Sequence, residues 1–185
     1  MPLRAIVVIP TYNERDNVAP LLARLSAIPN PPDLFFVDDA SPDGTGELLE
    51  SLRATHPNLR VLHREGKLGL GTAYRTAFRQ LVQEGYDCLL SMDADLSHPP
   101  EAIPAMIAAC HEADLVVGSR YAPGGGTQNC SLARRLLSLG ANAGARLLLG
   151  LPALRLRADY LAIVTIATGE IIRLVVRSVS LRKGR

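Results

Sequence analysis

Short apolar runs that each end in a polar cluster constrain this chain more than any other feature. Ala5–Ile9 (AIVVI) gives way to Pro10-Thr11-Tyr12-Asn13-Glu14, and Leu34–Val37 (LFFV) to Asp38-Asp39. Cys88–Met92 gives way to Asp93-Ala94-Asp95, and Leu115–Val117 to Gly118-Ser119-Arg120. Runs so short and so apolar read as strands buried on both faces. Leu59–Leu62 is a further one. Between them lie stretches of helical spacing, Asp16 to Ile28, Thr45 to Leu52, Thr72 to Glu84 and Pro100 to Ala113. Alternation of strand and helix predicts an α/β domain with a mostly parallel sheet and helices on both faces. Ligands bind such sheets just beyond the carboxyl ends of the strands. The four polar clusters are therefore expected to converge on one edge.

Composition narrows the function. Hydrophobic residues make up 48% of the 185, which excludes a disordered chain. Aromatics are 4%, with no Trp, and the net charge is +2, so a nucleic-acid partner is not expected. After Ala113 the acids are Asp114, Asp159 and Glu170, while arginines recur from Arg120 to Arg185. That basic bias suits an anionic surface or substrate. The three cysteines, Cys88, Cys110 and Cys130, show neither zinc spacing nor a disulfide framework. No secretory signal is visible, and Tyr160 to Val176 is broken by Glu170 and Arg173, short of the about 18 apolar residues of a membrane span. A cytoplasmic protein with peripheral membrane contact is the expectation.

Asp93-Ala94-Asp95 carries the most chemistry. Side chains alternate along an extended chain, so carboxylates two apart return to one side and can share a cation. Hard divalent metals take such oxygen ligands, and Mg²⁺ adds substrate phosphate oxygens. A solvated acidic turn is the plain alternative. Asp38-Asp39 precedes Ser41-Pro42-Asp43-Gly44-Thr45. Turn and cap chemistry accounts for Asp43 and Gly44, while one of the adjacent carboxylates could bond a base or ribose. Asn13 is either a helix cap or part of a site. Tyr12 either packs or lies against a base, with Glu14 taking a ribose or base donor. Lys67-Leu68-Gly69-Leu70-Gly71-Thr72-Ala73 opens a helix without the order of a Walker loop. Tyr74, standing where a dinucleotide fingerprint needs a small residue, excludes that motif as well. Ser131 to Leu151, with Arg134, Arg135 and Arg146 among leucines, is either a core helix or an interfacial one.

The stretches PTYNE (10–14), VDDASPDGT (37–45), REGKLGLGTA (64–73), MDADLSHPP (92–100) and GSRYAPGGG (118–126) occur in an order that resembles glycosyltransferase family 2, within it the polyprenyl-phosphate (dolichol-phosphate) mannosyltransferases. The resemblance spans about residues 1–150 and implies a GT-A, Rossmann-like single domain. It implies transfer of mannose from GDP-mannose to a polyprenyl phosphate, with inversion and with Mg²⁺ or Mn²⁺ as cofactor. It places Pro10, Tyr12, Glu14, Val37 and Asp39 on the nucleotide, and Asp93, Ala94 and Asp95 at the donor and metal. Ser97 stands where some relatives carry a metal-binding Gln. Arg120 is implied, with Asp95, in catalysis at the donor or acceptor phosphate, and Arg134 or Arg135 at the acceptor phosphate. His98 reads as structural.

Residues 151–185 depart from the resemblance and read as an atypical basic tail, an altered or truncated end. A nucleotide-sugar-binding chain with impaired catalysis, or a related transferase using UDP-glucose, are the alternatives.

Overall fold

The computed structural model describes residues 3–118 and the strand at 173–177. The chain divides into two compact units, Met1–Val116 with Val175–Arg185, and Val117–Leu174. Among the described residues, the first unit carries every side chain of the candidate site.

Its order is β1 (Ala5–Thr11), α1 (Arg15–Ser26), β2 (Asp33–Asp38), α2 (Thr45–Arg53), β3 (Leu59–His63), α3 (Leu70–Gln83), β4 (Cys88–Ser91), a 3-10 turn (Pro100–Ala102), α4 (Ile103–Ala109), β5 (Leu115–Gly118) and β6 (Arg173–Arg177). The strand order is β3-β2-β1-β4-β6-β5. β1 pairs in parallel with β2 on one side and β4 on the other, and β2 pairs in parallel with β3. Successive βαβ units thus run outward from β1 to β3, then cross back to β4. β1 lies at the reversal, where an open sheet leaves a crevice at its carboxyl edge.

Alternation along β1 sorts the core into two layers. Val7 and Ile9 pack with Val18, Leu21, Leu22 and Leu25 of α1, Leu49 of α2, and Ile103 and Met106 of α4. Ile6 and Val8 face the other way, onto Ala73, Ala77 and Leu81 of α3 and Tyr86. The small Ala73 and Ala77 let α3 lie close on the sheet. Gly69 opens α3 at φ 89 and ψ 151, a region that side-chain-bearing residues avoid.

Two elements differ from the sequence expectation. The helix expected over Pro100 to Ala113 begins as a 3-10 turn, and its α part ends at Ala109. β6 falls inside the region read as a tail. It pairs antiparallel with β4, with Cys88 opposite Arg177 and Leu90 opposite Val175. Its five residues lie within a longer apolar stretch, which hides a strand boundary. Among the described residues no helix is long and apolar enough to cross a membrane.

Candidate functional site

Parallel register brings the expected clusters together. Pro10 lies opposite Val37 and Thr11 opposite Asp38. Across the crevice, the Met92 amide donates to the Val8 carbonyl at 3.1 Å, which sets Asp93 beside the end of β1.

The acids at the β1/β2 end do different work. Asp38 is buried, and its carboxylate accepts from the Thr11 hydroxyl (3.1 Å), the Ser41 amide (3.1 Å) and the Ser41 hydroxyl. Those bonds offset its desolvation and make it a structural tie. Turn chemistry therefore explains one of the two adjacent carboxylates. Asp43 accepts from the Thr45 amide and hydroxyl and from the Arg15 amide, and so organises the starts of α2 and α1 together. Asn13 is not the cap of α1. It sits at φ 60, and Glu14 occupies the cap position, its carbonyl accepting from the amides of Asn17 and Val18. The Glu14 carboxylate accepts from the Asn17 side chain at 2.7 Å.

Asp39 is held differently. Its Oδ1 lies 3.1 Å from Arg64 Nε, with both side chains under a tenth exposed (7% and 8%). Its Oδ2 accepts from the Leu68 amide at 3.2 Å. The Arg64 contact falls within ion-pair distance without the alignment of a hydrogen bond. Arg64 also donates from Nη2 to the Thr72 hydroxyl (2.8 Å), and its own amide donates to the Asp38 carbonyl (2.8 Å). It therefore ties the ends of β2 and β3 to the start of α3. Sequence reasoning did not single out Arg64. Its signal was present in the REGKLGLGTA stretch, as the first of two cations just after an apolar run. At the mouth, the Lys67 ammonium lies 4.0 Å above the Tyr12 ring.

The β4 end is more open. Ala94 is buried, Asp93 half-buried, and Asp95 and Ser97 exposed. The Asp95 carboxylate accepts from the Ser97 amide at 2.9 Å, so Ser97 supports Asp95 through its backbone. Leu96 between them stands at φ 61, an uncommon conformation for a residue with a side chain. The Asp93 amide donates to Nδ1 of buried His98 at 3.3 Å. Ligand atoms of Asp93, Asp95 and His98 all lie within 4.8 Å of one another. The two carboxylates fit a divalent cation, while the His98 imidazole is engaged at Nδ1 by the Asp93 amide. Tyr74 of α3 also reaches this cluster. Its phenol is pushed well above the usual range by burial, by the Asp93 charge and by a hydrogen bond to Asp93, against an opposing bond from Ser91. Arg120, Arg134 and Arg135 lie outside the described residues.

A mostly parallel sheet with these side chains at its reversal point defines an α/β protein whose polar clusters lie where such sheets take ligands. Comparison with known proteins makes this specific. Glycosyl transferase family 2 matches residues 6–172, and the chain belongs to that family. It is 44% identical over 161 residues to an undecaprenyl-phosphate mannosyltransferase of Micrococcus luteus, covering 86% of this chain and 66% of that protein. It is 42% identical over 161 residues to a polyprenol monophosphomannose synthase of Mycolicibacterium smegmatis, covering 86% and 61%. The chain thus spans slightly less than two thirds of these relatives. Among solved structures, S. aureus TarS 1-349 in complex with UDP-GlcNAc superposes with a TM-score of 0.50 at 27% identity, covering 62% of this chain and 33% of that one.

Proposed function

We propose that this chain carries the catalytic domain of a polyprenyl-phosphate mannosyltransferase, moving mannose from GDP-mannose to a polyprenyl phosphate. The observation that carries this reading is the gathering of Tyr12, Glu14, Asp39 and the Asp93–Asp95–His98 group around one sheet edge, in a chain over 40% identical to relatives named for this transfer.

In this reading Pro10, Tyr12, Glu14, Val37 and Asp39 seat the nucleotide, with Asp39 held in place by Arg64 and the Leu68 amide. Asp93 and Asp95, flanking Ala94, would hold a Mg²⁺ or Mn²⁺ ion, which would supply charge neutralisation for the departing GDP. Arg120 assists at the phosphates, and Arg134 and Arg135 hold the acceptor phosphate. A phosphate monoester is already ionised at neutral pH and needs no general base. Its oxygen bonds to the anomeric carbon as the bond to GDP breaks, with inversion. The enzyme works at the cytoplasmic face of a membrane, held peripherally, and the basic bias after Ala113 supports that placement.

The test is transfer of labelled sugar from GDP-mannose to a short polyprenyl phosphate, with Mg²⁺ or Mn²⁺ and with EDTA, against UDP-glucose as competing donor. EDTA-sensitive mannolipid supports the reading. Glucolipid instead, or metal-dependent GDP-mannose binding without lipid product, overturns it in favour of a UDP-glucose enzyme or a donor-binding chain.

A further inference from the structure

Cys88 and Cys110, unrelated by any sequence spacing, meet in the core. Cys88 opens β4, and α4 ends on Cys110. Both are fully buried, in the layer that holds Val7, Ile9, Leu90 and Met106. Their sulfurs lie 3.1 Å apart, the Cys88 thiol donating to Cys110 Sγ. The Cys110 thiol donates in turn to the Met106 carbonyl at 3.2 Å. A disulfide bond measures about 2.05 Å, so about 1 Å of approach separates the pair from a covalent link. Burial alone explains one cysteine, which packs as a small hydrophobe. It does not explain two sulfurs facing each other from different elements, 22 residues apart.

The chain between them leaves β4 through Asp93, Asp95 and His98 and returns along the 3-10 turn and α4. A link would close that segment into a loop with both ends pinned in the core. The way in is the end of α4. That helix is seven residues long, and residues 111–114 beyond it are exposed and held by turn amides. So short and exposed an end opens locally with little free energy, and admits a small oxidant that the closed core excludes. Burial, and then the Cys110 sulfur, push the Cys88 thiol well above its ordinary range. The pair therefore stays protonated, and inert to bulky reagents, until that opening.

We propose that Cys88 and Cys110 form a modification site, a disulfide made by a hydroperoxide, which staples β4 to α4 around the segment carrying Asp93, Asp95 and His98. With hydrogen peroxide, one thiol sulfur attacks a peroxide oxygen. The O–O bond breaks, water leaves and a sulfenic acid remains. The second sulfur then attacks the sulfenic sulfur. The S–O bond breaks, and the departing hydroxide leaves as water with the second thiol proton. Two thiols lose two electrons and two protons, and one peroxide becomes two waters. Closing the loop restricts the unfolded chain and so favours the folded one.

The experiment treats the full, reduced chain with hydrogen peroxide, unfolds it in N-ethylmaleimide and reads it by intact mass and peptide mapping. The site predicts a linked Cys88–Cys110 peptide pair, lighter by two hydrogens, with Cys130 outside the link. It also predicts a melting temperature higher by about 5–10 °C, reversed by dithiothreitol. Cys110→Ala should lose both the link and the shift. Cys88 and Cys110 both alkylated after peroxide overturns the site. So does oxygen on Met92 or Met106 without a link, sulfinic acid at either cysteine, or a link from either to Cys130 instead. A linked chain that melts no higher than the reduced one overturns the staple. Should Cys110→Ala fail to fold by circular dichroism, reversal of link and shift by dithiothreitol in the wild type decides: persistence of the shift after reduction overturns the assignment.

Discussion

The β1/β2 end and the β4 end present the same residue type, an aspartate just past an apolar strand, and use it in opposite ways. At the β1/β2 end, Asp38 is buried with its oxygens met by Thr11 and Ser41, while Asp39, buried beside Arg64 and the Leu68 amide, keeps Oδ1 without a hydrogen bond. At the β4 end, Asp95 is exposed and supported by one backbone amide, across a residue at φ 61. A carboxylate whose lone pairs are met by its own protein serves the fold. One left open at a crevice serves a ligand. Exposure and donor count separate the two roles where sequence does not.

Breaking the open end should show most in chemistry. Asp95→Ala is expected to lower metal-dependent transfer by on the order of 10²–10³, with stability within about 0.5 kcal/mol of wild type because the side chain is exposed. Turnover and urea unfolding measured together check this. Unchanged turnover would remove the metal role.

The buried end should show most in stability. Arg64→Ala strands the Asp39 charge under 8% exposure and should cost about 3–5 kcal/mol. Adding Asp39→Asn should recover part of the loss, and a double-mutant cycle in urea reads the coupling. Strict additivity would mean that the pair does not act as a unit.

The comparison sharpens further at His98. His98→Ala removes the acceptor of the Asp93 amide and should weaken Mn²⁺ binding about 10-fold. His98→Asn places a side-chain oxygen near the Nδ1 position and should restore most of it, as titration calorimetry with GDP present would reveal. No rescue by Asn would count against the amide contact as the cause.

The smallest effect is expected in acid. Burial pushes the Asp43 carboxyl up, but the Thr45 hydroxyl and the Arg15 and Thr45 amides outweigh it, leaving it below its ordinary value of 3.8. A depressed carboxyl stabilises the fold fully above that ordinary value, and the contribution fades as pH falls through the folded-state value. Asp43→Asn should therefore lower the melting temperature slightly at pH 6 and converge with wild type near pH 2. A gap that persists at low pH would assign the effect to hydrogen bonding rather than charge.

The sequence by itself determined the α/β class, the parallel run from β1 to β4 and the placing of Pro10–Glu14, Asp39 and Asp93–Asp95 at one edge. Those follow from local periodicity and from the rule that strands end where polar residues begin. It also carried the family, through motifs whose order survives without a structure. Tertiary structure alone decided which acids are spent and which are open. Asp38 and Asp39 are neighbours in sequence, yet Asp38 faces Thr11 and Ser41 while Asp39 faces Arg64. Strand register and helix packing choose those partners from up to 29 residues away, as between Asp39 and Leu68. Tyr74 shows the same limit most clearly. In the sequence it only disqualifies a dinucleotide motif; in the fold it lies against Asp93, because the alanines at 73 and 77 bring α3 down onto the sheet. β6 likewise needed the fold, since its pairing with β4 is set by chain reversal rather than by any local pattern.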